Sequence, residues 1–202
     1  MQMYRESSAK MPRFDGVIFD MDGTIIQPLL DFAAIRAELG VPAGKGILEA
    51  LAEMPPDERR EAHAKLAQRE LAAAERAELM PGTIELLHAI ARAGLKTALL
   101  TRNMREAMEI VLQRHGLWFD LTMSREDGPI KPEPDGIVRA CGELSIAPDR
   151  TVCVGDFHYD IAAATAAGAV SVLLATGDRP EWADEADYVI TKLSELGAIL
   201  GL

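Results

Sequence analysis

One stretch constrains this chain more than any other: Gly16-Val-Ile-Phe-Asp-Met-Asp-Gly-Thr24, an apolar run that stops at two carboxylates one residue apart, then a glycine and a hydroxyl. Val17, Ile18 and Phe19 are branched or aromatic and read as a strand buried on both faces, as in parallel sheets. Asp20 falls at the carboxyl end of that strand, the edge of an open α/β sheet where ligands bind. Two buried carboxylates this close are costly without compensation, so a cation or a shared proton is implied. A plain Asp-Gly turn after a strand would need neither, and the rest of the chain has to decide between the two.

At 202 residues the chain is long enough for one sizeable domain, or a domain with an insertion. A chain near this length buries about 70% of its unfolded surface. The net charge is −11, and Lys and Arg are dispersed rather than clustered. That argues against a nucleic-acid surface built on phosphate contacts. An anionic substrate would need local help from a metal, a placed lysine or helix N-termini. Cys141 and Cys153 make neither a disulfide framework nor a zinc spacing, and Cys153 reads as a buried thiol. Met1 to Pro12 has no apolar stretch resembling a signal peptide, and no later run approaches membrane-spanning length. The expectation is a cytoplasmic protein with no membrane partner.

After Thr24 the pattern turns helical. Leu29, Leu30, Phe32, Ala33, Ile35 and Leu39 carry helical spacing, closed by Gly40. A short second helix contains Ile47, Leu48 and Leu51. Pro55-Pro56-Asp57 starts a third, expected to run to Leu79, and ~22 residues would span roughly 33 Å. No strand signal appears between Ile26 and Met80. From Met80 the rhythm changes to strands alternating with helices, the βαβ pattern. Strands are predicted at Lys96–Leu100, Leu121–Thr122, Thr151–Val154, Ser171–Leu174 and Tyr188–Ile190, with an alanine-rich helix near 160–167 and a last helix from Leu193. The fold class is therefore α/β: a Rossmann-like parallel core from residues 1–26 and 80–202, interrupted by a small all-helical block at 27–79.

Three of the strands end alike, in Asp20, in Thr101 and in Gly155-Asp156. A parallel sheet brings all three polar ends to one edge, and right-handed crossovers place the first strand between the other two. The proline-framed loop Gly128-Pro-Ile-Lys-Pro-Glu-Pro134 adds Lys131 to the same crevice. Carboxylates suit a hard cation, and a lysine with a hydroxyl suits phosphate oxygens, so the outline is a divalent-metal and phosphate site.

In four motifs, Asp20-Met-Asp22-Gly23-Thr24, Thr101, Lys131 before Pro132, and Gly155-Asp156-Phe-His-Tyr-Asp160, the chain resembles the haloacid-dehalogenase-like superfamily, in its phosphoglycolate-phosphatase-like subgroup with a small helical cap. The resemblance implies Asp20 as nucleophile, forming an aspartyl-phosphate, and Asp22 as general acid and base. It implies Mg²⁺ held by Asp20, the main-chain carbonyl of Asp22, and Asp156. Thr101 and Lys131 would bind the phosphoryl oxygens, with Arg102 and Asn103 close to what the family shows after its second motif. Gly23, Thr24, Gly155 and Asp160 would support the site. Asp160 reads either as a helix cap or as a group orienting a metal water or Lys131. Arg102 reads either as a substrate contact or as a solvent-facing helix-start residue. Phe157 departs from the family pattern, in which a small hydroxyl residue often stands. The implied partner is a small phosphorylated metabolite, of the phosphoglycolate or sugar phosphate class, handled by a monomer or homodimer.

Several other residues have plainer readings. Lys45 lies between glycines, but Leu39 occupies the position where a nucleotide-binding loop needs its first glycine, and no Ser or Thr follows the lysine. It reads as a loop lysine at the mouth of the cap. His158 reads as loop, His115 as a core or helix-end histidine, and His63 and His88 as helix-surface residues. A dehalogenase has no use for Asp22 as an acid. A phosphomutase, or a silent phosphate-binding regulator, would share the same core.

Overall fold

The computed structural model describes residues 14–202, so the polar leader Met1 to Pro12 lies outside the described residues. Its core is one sheet of six parallel strands, β1 (Gly16–Phe19), β2 (Lys96–Leu100), β3 (Leu121–Met123), β4 (Thr151–Gly155), β5 (Val170–Leu174) and β6 (Tyr188–Ile190), in the order β3-β2-β1-β4-β5-β6. β1 pairs with β2 and β4, as the crossover argument requires. Among the described residues eight α-helices accompany the sheet: α1 (Phe32–Leu39), α2 (Ile47–Ala52), α3 (Pro56–Ala74), α4 (Thr83–Arg92), α5 (Arg105–His115), α6 (Asp135–Leu144), α7 (His158–Ala167) and α8 (Leu196–Leu200).

Successive strand residues face opposite sides of the sheet, and each side has its own core. Val17, Phe19, Leu99 and Val154 pack with Leu86 and Ile90 of α4, Met108 and Val111 of α5, and Leu196 of α8. Ile18, Ala98, Leu100 and Cys153 pack with Ile137 of α6 and Ala163 and Ala164 of α7 on the other side. The alanines let α7 approach the sheet closely. Both cysteines are buried free thiols.

The helical cap inserted after β1 has a separate core of Ile35, Leu51, Ala62 and Leu66. Two boundaries differ from the sequence expectation. α1 begins at Phe32, not at Leu29 where the helical spacing starts, because Asp31 caps it by accepting a hydrogen bond from the Ala34 amide at 2.9 Å. Pro28 to Leu30 are thereby left outside the helix. α3 stops at Ala74, although the following residues favour helix, because the chain must return to the core there. The Gln27 amide donates to Glu78 O (2.9 Å), the Met80 amide donates to Ile25 O (2.9 Å), and Ile26 and Leu79 form an antiparallel bridge. The strand-like crossing between Ile26 and Met80 was not visible as periodicity, being a single bridge rather than a strand. The last helix also differs, opening with a 3-10 turn over Leu193–Glu195 before α8. No helix among the described residues is long and apolar enough to cross a membrane.

Candidate active site

The strand register explains why distant motifs meet. Phe19 aligns with Leu99 on β2 and Val154 on β4. Asp20, Thr101 and Asp156 therefore leave the sheet within one residue of the same level. They line a cavity of about 360 Å³ between the sheet edge and the cap, together with Asp22, Arg102, Asn103, Lys131 and Asp160. Every catalytic, binding or metal residue predicted from sequence borders this one space. Of the supporting residues, Gly23, Thr24 and Gly155 lie just behind it.

Lys131 is the hub. It is 5% exposed, and its ammonium donates to Asp20 Oδ1 at 2.6 Å and to the Leu100 carbonyl at 2.7 Å, with Asp160 Oδ1 at 2.6 Å. All three donors are thus engaged. Burial works against its charge, but Asp160 and Asp20 outweigh that and hold it above the ordinary lysine range. Asp160 is the third residue of α7 and not its N-cap, yet it reaches both the helix start and Lys131. Its Oδ2 accepts from the Phe157 amide at 3.1 Å at the start of α7, while Oδ1 faces Lys131.

Asp20 is anchored through its amide to Val154 O at 2.9 Å. Burial pushes its carboxyl well above the ordinary range; Lys131 opposes this, and Asp160, Asp156 and Asp22 add to it. Burial raises Asp22 as well, against Asn103, whose Nδ2 donates to Asp22 Oδ2 at 3.1 Å, and against Lys131. Asp156 is pushed up to about 7, by burial first and Asp160 second. The Thr101 hydroxyl is buried and accepts from the Asn103 amide at 3.0 Å, so its proton is left to donate. Asn103 Oδ1 in turn accepts from the Met104 amide at 2.8 Å, at the start of α5.

Two glycines are dictated by this crowding. A Cβ on Gly23, whose φ is +80°, would stand 2.0 Å from Asp156 Oδ2. A Cβ on Gly155 would stand 2.2 Å from Asp160 Cγ. Thr24 is fully buried, but its hydroxyl has no partner among the described residues.

The donor set fits a hard divalent cation. Carboxylate oxygens of Asp20, Asp156 and Asp160 lie within 4.8 Å of one another. Asp160 has both oxygens engaged, which leaves Asp20 and Asp156 as the available anionic donors. An all-oxygen set of this kind suits Mg²⁺ rather than a soft metal. Burial raises these carboxyls and neighbouring carboxylates raise Asp20 and Asp156 further, so a cation bound among them would favour their charged forms.

Arg102 is not the solvent-facing residue of the second reading, its side chain being only 20% exposed. Its guanidinium lies 4.4 Å over the Tyr159 ring, donates to the Lys131 carbonyl, and holds both oxygens of Glu49 on α2, at 2.7 and 2.9 Å. It borders the cavity while tying the cap to the core. A second tie, absent from the sequence reading, joins Glu70 of α3 to Arg125 at 2.5 Å. Glu70 is buried, its Oε2 has no partner among the described residues, and burial raises its carboxyl against Arg125. No sequence signal marked Glu49, Glu70 or Tyr159, since acidic residues on charged helices look alike until a partner is known. His158 pairs with Glu185 at 2.9 Å and Lys45 with Glu53, and neither lines the cavity. His115 is a helix-end residue bonded to Ala77 O at 2.8 Å, while His63 and His88 are exposed.

The chain matches the family model for a haloacid dehalogenase-like hydrolase over residues 14–168. It is 37% identical over 174 residues, 80% of this chain and 71% of the other, to a haloacid dehalogenase-like hydrolase domain-containing protein of Arabidopsis thaliana. It is 28% identical over 200 residues, 89% of this chain and 94% of the other, to validoxylamine A 7'-phosphate phosphatase of Streptomyces hygroscopicus subsp. limoneus. Its fold matches the crystal structure of a predicted phosphoglycolate phosphatase from Haemophilus somnus with a TM-score of 0.71 at 23% identity, over 94% of this chain and 99% of that one. The α/β fold agrees with the comparisons, and the chain belongs to the haloacid dehalogenase-like hydrolase family.

Proposed function

We propose that this chain is a Mg²⁺-dependent phosphatase that hydrolyses a small phosphorylated metabolite, the class that includes phosphoglycolate and the sugar phosphates, through an aspartyl-phosphate on Asp20. Residues 1–26 and 80–202 would form the catalytic core and residues 27–79 the lid, in a cytoplasmic monomer or homodimer with no nucleic-acid or membrane partner. The observation that carries the reading is the convergence of Asp20, Asp22, Thr101, Lys131 and Asp156 on one sheet edge beneath the cap.

In the first step an oxygen of Asp20 attacks phosphorus, and the ester P–O bond breaks. Lys131 holds the other Asp20 oxygen and fixes the direction of attack. Asp22, whose carboxyl is raised by burial, gives its proton to the departing alkoxide, so the first product leaves as an alcohol. In the second step Asp22, now a carboxylate held by Asn103, takes a proton from water as that water's oxygen attacks phosphorus. The bond to Asp20 breaks and phosphate is released. Thr101 would donate to an oxygen of the transferring group, and Lys131, whose three donors are held by protein acceptors, would stabilise that group through its charge. The carboxylates of Asp20 and Asp156, with the main-chain carbonyl of Asp22, would hold Mg²⁺, which supplies the charge neutralisation needed when an anion attacks an anion.

The test is phosphate release from a generic aryl phosphate by the purified full chain. Mg²⁺-dependent release is expected, with Asp20→Asn lowering it at least about 10³-fold while the thermal melt stays cooperative. Absence of release by the wild-type chain, with and without Mg²⁺, would overturn the hydrolase reading. Transfer to a sugar phosphate without net release would replace it with a mutase.

A further inference from the structure

Building on the phosphatase reading, but replacing the phosphoglycolate and sugar phosphate classes it starts from, we infer that the alcohol half of the substrate is a bulky, uncharged, ring-bearing apolar group. The argument begins with where exposed apolar surface lies. Among the described residues seven large hydrophobic side chains are exposed, and three of them, Leu29 (45%), Phe32 (46%) and Phe157 (49%), border the catalytic cavity. Scattered single exposed hydrophobics are ordinary, but three around one concave mouth mark a binding surface. Ile47, Leu48 and Leu66 continue the same apolar wall into the cap.

Phe157 is held ready rather than loose. Its ring stands edge-on to Tyr159 at 5.0 Å and to Trp182 at 6.2 Å, which fixes its position while leaving nearly half of it open. It directly follows Asp156, so the aromatic surface begins beside the phosphoryl site. The space is also generous. About 360 Å³ lies within the ~300–1,000 Å³ range of pockets that enclose drug-sized ligands, more than a phosphate and two carbons would occupy.

Charge points the same way. A second anion on the leaving group would be held best by a cation whose donors are free on the cap side of the cavity. Arg102 is neutralised there by Glu49, which takes it in both oxygens. Arg36, which also borders the cavity, keeps its positive charge, but its Nε and Nη1 are bonded to the Lys45 carbonyl at 3.2 Å and the Phe32 carbonyl at 3.3 Å, which stitches α1 to the following loop and turns those two donors away from a ligand. Glu70 adds a buried carboxyl to the same lining. An uncharged group that covers Leu29, Phe32 and Phe157 gains apolar burial and meets no like charge.

The experiment compares kcat/KM for phosphate release by the full chain from 2-phenylethyl phosphate, ethyl phosphate, phosphoglycolate and glucose 6-phosphate, all with alkoxide leaving groups so that differences report recognition. A preference of about 10-fold or more for the phenylethyl ester over the other three is expected. Phe157→Ala and Phe32→Ala should each reduce that preference by about 3- to 10-fold. Phe157→Leu, which keeps apolar area, should restore part of it and guards against a misfolded alanine variant. Equal values, or a preference for phosphoglycolate or glucose 6-phosphate, would overturn the inference while leaving the phosphatase reading in place. Release from none of the esters, nor from an aryl phosphate, would instead remove the phosphatase reading on which the inference stands.

Discussion

At the floor of the cavity, Lys131 is almost fully buried and each of its donors has an acceptor, while at the roof Leu29 and Phe32 stand nearly half exposed beside a cap held to the core by Glu49–Arg102 and Glu70–Arg125. The floor is built from strand ends whose positions are set by backbone pairing. The roof is built from side chains on a block with its own small core. Buried charge needs partners placed to tenths of an ångström, because each unpaired group in low dielectric costs several kcal/mol. Apolar contact is non-directional and tolerates a looser frame. On the proposed reading the two halves would divide the work, with bond-making at the floor and selection at the roof.

The harshest way to break this comparison is Lys131→Met. It leaves Asp20 and Asp160 buried without their shared cation, so a stability loss of about 3–5 kcal/mol in urea denaturation and at least about a 10²-fold fall in kcat are expected. A loss below about 1 kcal/mol would mean that the floor is not held by charge. Next is the metal. Mg²⁺ at 100 times its dissociation constant should stabilise the fold by about 2.7 kcal/mol, read as a raised Tm. In the metal-free protein the Asp156 carboxyl lies at about 7, well above its unfolded value near 3.8. Between those values the folded state binds more protons than the unfolded one, so this group favours folding at low pH and the contribution is lost as pH rises through about 7. The Tm gain from Mg²⁺ should accordingly be larger at pH 8 than at pH 6, and a gain independent of pH would sink this account.

Glu49→Gln acts on the roof. The pair is partly exposed, so its stability cost is expected at about 1 kcal/mol or less. Its informative effect is on selection, because Arg102 regains an unneutralised charge beside the cavity. Relative kcat/KM for phosphoglycolate should rise a few-fold against an uncharged ester; if the ratio does not move, Arg102 was never masked by Glu49. The smallest expected effect belongs to Thr24→Val. The fully buried hydroxyl has no partner among the described residues, so replacing it with a methyl should change stability by less than about 1 kcal/mol, in the stabilising direction. A loss above about 2 kcal/mol would show that Thr24 has a bond at the floor after all.

The chemistry-bearing residues were legible because their surroundings are local in sequence. An apolar run followed by Asp20, or by Gly155-Asp156, is its own evidence of a strand end, and β2 and β6 appear at the residues predicted, Lys96–Leu100 and Tyr188–Ile190. Boundaries and partners were less legible. The stretch after Ala74 has helical composition, yet it turns to meet Ile25–Gln27, some fifty residues earlier. Glu70 looks like any solvated glutamate on a charged helix, and its burial depends on Arg125, 55 positions away. Arg102 could be placed near the site but not assigned, since its role follows from Glu49 and Tyr159 together.

By itself, then, the sequence determined the alternation of strands and helices, the polar strand ends and the position of the helical insertion, because hydrophobic period and chain punctuation are properties of neighbours. Only the tertiary structure decided that Asp20 and Asp160 share one lysine, that Arg102 and Arg125 answer cap carboxylates, and that Leu29, Phe32 and Phe157 surround the same opening. Those are relations between residues far apart in the chain. They exist only where sheet register and cap docking bring their side chains within a few ångströms, the range over which hydrogen bonds, ion pairs and apolar contacts act.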